Sequence, residues 1–342
     1  MLIDMKRVFL VMTCLAALAG LPACDQVKAI EAVEEGSGTI LVRNGDEAAT
    51  KASTTAETYE SQVNNVQLFI FDASGDIVKY GSAASSSVTI GKVPVGTYTL
   101  AVVVNNPTIL ATTATLSALR TTTMNLGSNS TTASSGFLMY GEKASVAVTV
   151  AGKSETVAVT RFPARIRLVG VTNGVTYGAQ TVVAKSAMLV NGLGTWNYGA
   201  SGAAAGNVNA AGEKSGSIIT AAAGADYAAL TFSDLGNTSV TSSGTSFNRR
   251  FYSFPKAAVS PDKTGSTAGG NVRLSVLATV NGTDYWYPVT LAGIERNQCY
   301  DVTLTITGPG SSHPNEPVVS GNVTATVNVT GWGDGSDYNE TI

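Results

Sequence analysis

The sequence predicts an all-β protein of two β-sandwich domains with little helix. Charged residues make up 13% of the chain, against about 25% in ordinary globular proteins. Gly, Ala, Ser, Thr and Val fill the difference, which favours strands joined by many turns. Runs of alternating apolar and polar residues recur along the chain, the period-2 pattern of half-buried strands. Clusters of Gly, Asn, Asp, Ser and Pro separate them. At 342 residues the chain exceeds one small sandwich and suits two domains.

The first residues read as an export signal over 1–23. Lys6 and Arg7 precede a short apolar run, Val8 to Gly20, and Leu21-Pro22-Ala23-Cys24 follows. That run falls short of the roughly 20 apolar residues that a bilayer span needs. Small residues before a cysteine resemble the bacterial lipobox, in which the chain is cut between Ala23 and Cys24 and the Cys24 thiol is lipidated. An ordinary secretory signal cut after Ala23 is the alternative, and Leu21 favours the lipobox. Residues 24–51 read as a propeptide: an acidic tether, then the short strand Thr39-Ile40-Leu41-Val42, then a polar run that begins at Arg43. A strand isolated between a tether and a flexible linker must pair with something far along the chain.

The N-terminal domain, 52–160, properly starts at Val63. Two strands flank the turn Asp72-Ala73-Ser74-Gly75, and Val88 to Ile90 and the alternating run from Gly96 to Val104 follow. Thr115 to Leu126 is the best helix candidate. Ala144 to Val150 and Glu155 to Val159 close the domain as a hairpin around Gly152. The C-terminal domain, 161–342, opens with RFPARIRLVGV, in which Ile166 and Leu168 take the core phase and Arg165 and Arg167 face solvent. Gln180 to Leu189, Tyr227 to Phe232, Arg250 to Phe254, Asn271 to Val280 and Asp284 to Leu291 read as strands, the last two joined by the hairpin signal Asn281-Gly282. Asn191 to Gly224 is low in complexity and reads as surface loops with little core. Two alternating strands end the chain, Tyr300 to Ile306 and Val323 to Val329, separated by a connection whose Pro309, Pro314 and Pro317 exclude a helix. In the last strand Val323, Ala325, Val327 and Val329 share one face.

Little in this chain suggests catalysis. Cys14 leaves with the signal and Cys24 would be acylated, so Cys299 is the one thiol remaining; it falls on the polar phase of its strand and reads as a bystander. The single histidine, His313, sits in the Pro-rich connection. Gly152-Lys153-Ser154 has the tail of a phosphate-binding loop, but Ala147 stands where the first glycine is required, and a hairpin turn fits better. Gly333 to Asp337 with Glu340 lacks the spacing of a calcium loop. Trp286 with Tyr285 and Tyr287 could stack a sugar, though strand aromatics more often pack across strands. No cofactor, metal site or catalytic residue is expected, and the chain does not read as an enzyme. A net charge of -3 gives no basic field for nucleic acid.

Ile294-Glu295-Arg296-Asn297, Tyr300-Asp301, Leu304-Thr305-Ile306-Thr307-Gly308-Pro309-Gly310, the Asn/Pro connection and Trp332 resemble the C-terminal region of the major fimbrillins of Bacteroidales, the FimA-type pilins. The lipobox, the early GTILV strand, the helix candidate at Thr115 to Leu126 and the RFPARI start of the second domain fall in the same order as in that family. The resemblance implies two transthyretin-like β-sandwich domains with Greek-key connections, and a lipoprotein precursor carried to the outer membrane. It further implies that an Arg- or Lys-specific protease removes the strand Thr39, Ile40, Leu41 and Val42, cutting at Lys51 or, as second choice, Arg43. The C-terminal strand of another subunit, carrying Val323, Ala325, Val327 and Val329, would fill the vacated groove and build an extracellular adhesive fimbria. Partners would be further copies of the chain and accessory fimbrial subunits, with the host or bacterial surface ligand left open. An accessory tip or anchor subunit, or a surface lipoprotein that binds glycans, are the alternatives.

Overall fold

The computed structural model describes residues 35–44, 57–131, 134–199, 230–265, 269–319, 321–331 and 338–341, with the backbone alone for 35–44 and 338–341. The chain is nearly all β, as expected. Its N-terminal half runs β1 (Glu35–Asn44), α1 (Thr58–Ser61), β2 (Val66–Phe71), β3 (Ile77–Ala83), β4 (Ser87–Pro94) and β5 (Gly96–Val104). It continues through α2 (Leu116–Thr121), β6 (Thr123–Asn125), β7 (Met139–Val148) and β8 (Lys153–Arg161).

Seven of these strands form one sheet in the order β3-β2-β5-β7-β8-β1-β4. The hairpin around Gly152, where φ is +80°, is open: β7 and β8 pair only at Met139↔Arg161 and Tyr140↔Thr160. Beyond those pairs β7 stays with β5, while β8 turns away and takes β1 as its neighbour. The sheet thereby folds over a core of Val66, Leu68, Ile70, Val88, Ile90, Leu100, Val102, Val157 and Val159. Gly141 sits at the fork, and a Cβ there would lie 1.8 Å from the Ala158 carbonyl oxygen. Only glycine lets the two strands touch and then part.

The C-terminal half holds β9 (Ala164–Asn173), β10 (Val182–Val190), β11 (Thr195–Asn197), β12 (Phe232–Ser239), β13 (Thr245–Ser253), β14 (Val272–Val280), β15 (Thr283–Leu291), β16 (Gln298–Ile306), β17 (Val323–Gly331) and β18 (Tyr338–Thr341). Two sheets, β12-β10-β14-β15 and β13-β9-β16-β17-β18, enclose Ile166, Leu168, Leu189, Leu274, Val276, Val302, Leu304, Ala325 and Val327. The hairpin at Asn281-Gly282 forms as expected, with both φ values positive at 49° and 88°.

Several expectations fail for identifiable reasons. The helix begins at Thr115, whose hydroxyl accepts from Ala118 N at 3.1 Å, but it ends at Thr121. The β-branched run Thr121-Thr122-Thr123 disfavours continuation, and β6 pairs with β11 instead. Of the low-complexity segment Asn191 to Gly224, residues 200–224 lie outside the described residues; 191–199 carry more core than their composition suggests, because Tyr198 is buried among aromatics while Leu193 and Trp196 pack on the same cluster. Of the strand expected at Tyr227 to Phe232, residues 227–229 lie outside the described residues; β12 starts at Phe232 and runs on through Asp234 to Asn237, where positive φ at Gly236 and Asn237 and a register shift against β10 absorb the turn-like residues.

Gly141→Ala is expected to destabilise the fold by about 1–3 kcal/mol or more, read as a lowered urea midpoint at unchanged slope.

Candidate assembly site

The isolated N-terminal strand finds its partners at long range. β1 runs antiparallel to β4, from Glu35↔Pro94 to Leu41↔Ser87, and parallel to β8, from Gly38↔Lys153 to Asn44↔Val159. It is thus a central strand, with main-chain bonds on both sides. Its register sets Ile40 opposite Val88 and Val42 opposite Val157, both buried core positions. Thr39, Ile40, Leu41 and Val42 all lie within this ladder, and Arg43 does too, paired with Ala158. A protease that binds its substrate as an extended chain would have to peel β1 away to reach Arg43. Lys51, Ala23 and Cys24 lie outside the described residues.

Where the chain resumes, it is clamped to the other half of the molecule. The Glu60 side chain is fully buried; its carboxylate pairs with Arg165 at 2.8 Å, accepts from the Tyr252 hydroxyl at 2.8 Å, and accepts from Glu57 N at 3.0 Å in a capping box. Glu57 in turn pairs with Arg250 at 2.7 Å. Removing everything upstream of residue 57 therefore leaves this anchor in place.

These contacts correct the outward reading of the two arginines of β9. Arg165 and Arg167 are buried, the second against Asp301 of β16. Arg165 meets Glu60 from the N-terminal half and Arg167 meets Asp301 on the neighbouring strand, partners that a single strand cannot reveal. Cys299 is corrected for the same reason. It lies 1% exposed in a cluster with Phe69, Phe71, Val103, Phe137, Tyr198, Tyr252 and Phe254, drawn from both halves. Burial pushes its thiol up to about 12, only partly opposed by Arg165.

The segment Ile294 to Asn297 locks the same seam. Arg296 donates to the carbonyl oxygens of Arg161 at 2.9 Å, Thr160 at 2.8 Å and Tyr140 at 3.2 Å, and its guanidinium lies 4.1 Å above the Phe162 ring. Burial holds its pKa down to about 10. Asn297 takes a φ of +58° and its side-chain oxygen accepts from Arg161 at 3.1 Å. The Tyr300 hydroxyl accepts from Glu295 N at 2.9 Å. This turn caps β8, the neighbour of β1, and leads directly into β16, so the lane that β1 fills between β4 and β8 and the C-terminal sheet share one joint.

Val323, Ala325, Val327 and Val329 lie in β17. There β17 pairs in its own domain, with β16 from Gln298↔Gly331 to Ile306↔Val323 and with β18 from Thr326↔Thr341 to Val329↔Tyr338. Ala325 and Val327 are buried, whereas Val323 and Val329 are half-buried. A cleft of about 710 Å³ runs beside the strand, lined by Leu291, Ile294, Tyr300, Val327 and Val329. This side of β17 is loosely covered.

Nothing here resembles a sugar platform. Trp286 packs in the core against Met188 and Val190, and Tyr287 is buried with its hydroxyl donating to Gly308 O at 2.7 Å. Among the described residues, no group of His, Cys, Asp and Glu could hold a metal ion, and no helix is long and apolar enough to cross a membrane.

Residues 38–190 match the family model described as major fimbrial subunit protein (FimA). The match opens inside β1 and spans β4 and β8, so it contains the whole lane. No curated protein matches the chain. Among solved structures, a protein of Bacteroides eggerthii DSM 20697 assigned to cell adhesion aligns with a TM-score of 0.62 at 22% identity, covering 87% of this chain and 96% of that one. A fimbrilin (fimA) of Porphyromonas gingivalis W83 aligns at 0.58 and 14% identity, over 87% and 98%. The tip fimbrial protein Mfa3 of Porphyromonas gingivalis, with a C-terminal truncation, aligns at 0.50 and 13% identity, over 86% and 100%. The likeness of this chain to the Bacteroidales fimbrillins holds in sequence for its N-terminal half and in fold for nearly all of it.

Glu60→Ala deprives the buried Arg165 of its carboxylate and is expected to cost about 3–5 kcal/mol in chemical unfolding. The Cys299 thiol is expected to resist thiol reagents at pH 8 in the folded chain and to react once unfolded. Since an unfolded thiol ionises near about pH 8.5 and the folded one near about 12, its contribution to stability is fully present below the first value and is lost as pH rises toward the second. A denaturation series across that window, with Cys299→Ala as control, reads the difference.

Proposed function

We propose that this chain is a structural subunit of an adhesive surface fimbria. It is made as a lipoprotein precursor acylated at Cys24, carried to the outer membrane, activated by proteolysis after Lys51 and polymerised by donor-strand exchange. The observation that carries this reading is the placement of β1: a central strand, bonded on both edges, that joins the rest of the fold only through residues 45–56. A cut at Lys51 makes β1 a separate peptide. Its loss would open β4 and β8 to any strand with the right alternation. The match to the fimbrial subunit family supports a pilin-type structural role rather than catalysis.

The incoming strand is β17 of a second copy. In its own domain it holds nine paired positions with β16 and four with β18, and the lane has six with β4 and seven with β8. Main-chain bonding is therefore exchanged near parity, at about 0.5–1.5 kcal/mol per bond on either side. The net drive comes from refilling an apolar slot, roughly 1.5–3 kcal/mol for each large side chain buried. While β1 is attached, the slot is closed and the precursor remains a monomer. The same dependence makes assembly conditional on a protease specific for Lys or Arg.

Lys51→Ala is expected to abolish fibre formation by the precursor after treatment with a lysine-specific protease, while Arg43→Ala leaves it intact. Mass spectrometry of the new N-terminus and laddering in unboiled gels read the two effects. A mature surface form that still carries Ile40 to Val42 overturns the proposal.

A further inference from the structure

We propose that the strand entering the lane runs in the opposite direction to β1, in the register that puts Gly331 at the position of Gly38. This inference rests on the donor-strand reading and fixes its geometry.

The buried residues that line the lane are Val93, Ile90 and Val88 of β4 and Val157 and Val159 of β8. Their Cα partners on β1 are Gly36, Gly38, Ile40, Val42 and Asn44. From the Glu35 end the core-phase positions thus read Gly, Gly, Ile, Val, Asn. Glycine thus stands opposite Val93 and Ile90. There Ile90 already packs closely under β3, since a Cβ on Gly81 would stand 2.8 Å from the Ile90 side chain.

The buried phase of β17 reads Ala325, Val327, Gly331, with Val323 and Val329 half-buried on the same phase. Entering in the direction of β1, with Val327 and Val329 at the Ile40 and Val42 positions, the strand would place Ala325 on Gly38 and Val323 on Gly36. A branched side chain would then stand where β1 has glycine. Entering in reverse, Val329 and Val327 take the Ile40 and Val42 positions, Gly331 falls on Gly38 and Ala325 on Asn44. Glycine then replaces glycine, and both large aliphatics stand at the positions whose Cα partners are Val88 and Val157.

The ladders favour the same direction. β1 is parallel to β8 over its longer run of seven pairs and antiparallel to β4 over six. Reversal makes the seven-pair run antiparallel and the six-pair run parallel, and antiparallel pairing is slightly more stable per residue, so the balance tips slightly toward the reversed strand.

Disulfide trapping distinguishes the two directions. In reverse, Thr326 takes the position of Arg43, beside Ala158; in the direction of β1 it takes the position of Thr39, beside Thr89. Opposed strand residues lie about 4.5–5.5 Å apart at Cα, within disulfide reach. The full-length chain carrying Cys299→Ala is prepared with Thr326→Cys and either Ala158→Cys or Thr89→Cys, cleaved by a lysine-specific protease and oxidised. Covalent ladders on non-reducing gels are expected from the Ala158 pair and not from the Thr89 pair. Ladders from the Thr89 pair alone would overturn the direction and leave strand exchange standing. Fibres that form normally with neither crosslink would overturn the register. No fibres from the cleaved, unsubstituted chain would sink the donor-strand reading and this inference with it.

Discussion

A strand interior to a sheet must satisfy donors and acceptors on both of its edges. In this chain one such strand is supplied by a segment with no hairpin neighbour. β1 lies between β4 and β8, pairing with β4 from Glu35 to Leu41 and with β8 from Gly38 to Asn44. The fork at Gly141 is the local device that makes this possible, because it turns β8 away from β7 and leaves an edge that β1 completes. The core of the N-terminal half closes around that insertion.

The rest of the molecule braces the strands on either side of β1. Glu60 fixes the chain downstream of the linker by bonding to Arg165 and Tyr252 of the other half. Arg296 holds the end of β8 by three carbonyl contacts and connects it to the start of β16. An aromatic cluster drawn from both halves surrounds these polar groups and screens them from water. In the proposed exchange, braced walls and one removable strand let a subunit stay monomeric until cleavage and then join its own kind.

β17 stands in a different position. It is a regular member of its own sheet, but one flank borders an open cleft and its outer neighbour, β18, covers only four positions. In the proposed exchange it gives up a ladder comparable to the one it gains. Such a balance suits a process gated by proteolysis more than one driven by raw strand affinity.

Much of this was legible in the residues. Period-2 alternation located most strands, Asn281-Gly282 located its hairpin, and the strand Thr39 to Val42, stranded between tether and linker, required a distant partner. The sequence also carried the fimbrillin resemblance through Ile294 to Asn297 without giving a reason for it. Tertiary structure decided what lies on the second face of these strands: Arg165 and Cys299 meet the N-terminal half and Arg167 meets Asp301, instead of water. It also decided which edges β1 fills, and that Arg296 joins the two halves. Alternation is a property of neighbouring residues and survives in a linear string, whereas burial of a strand's second face depends on a segment more than a hundred positions away.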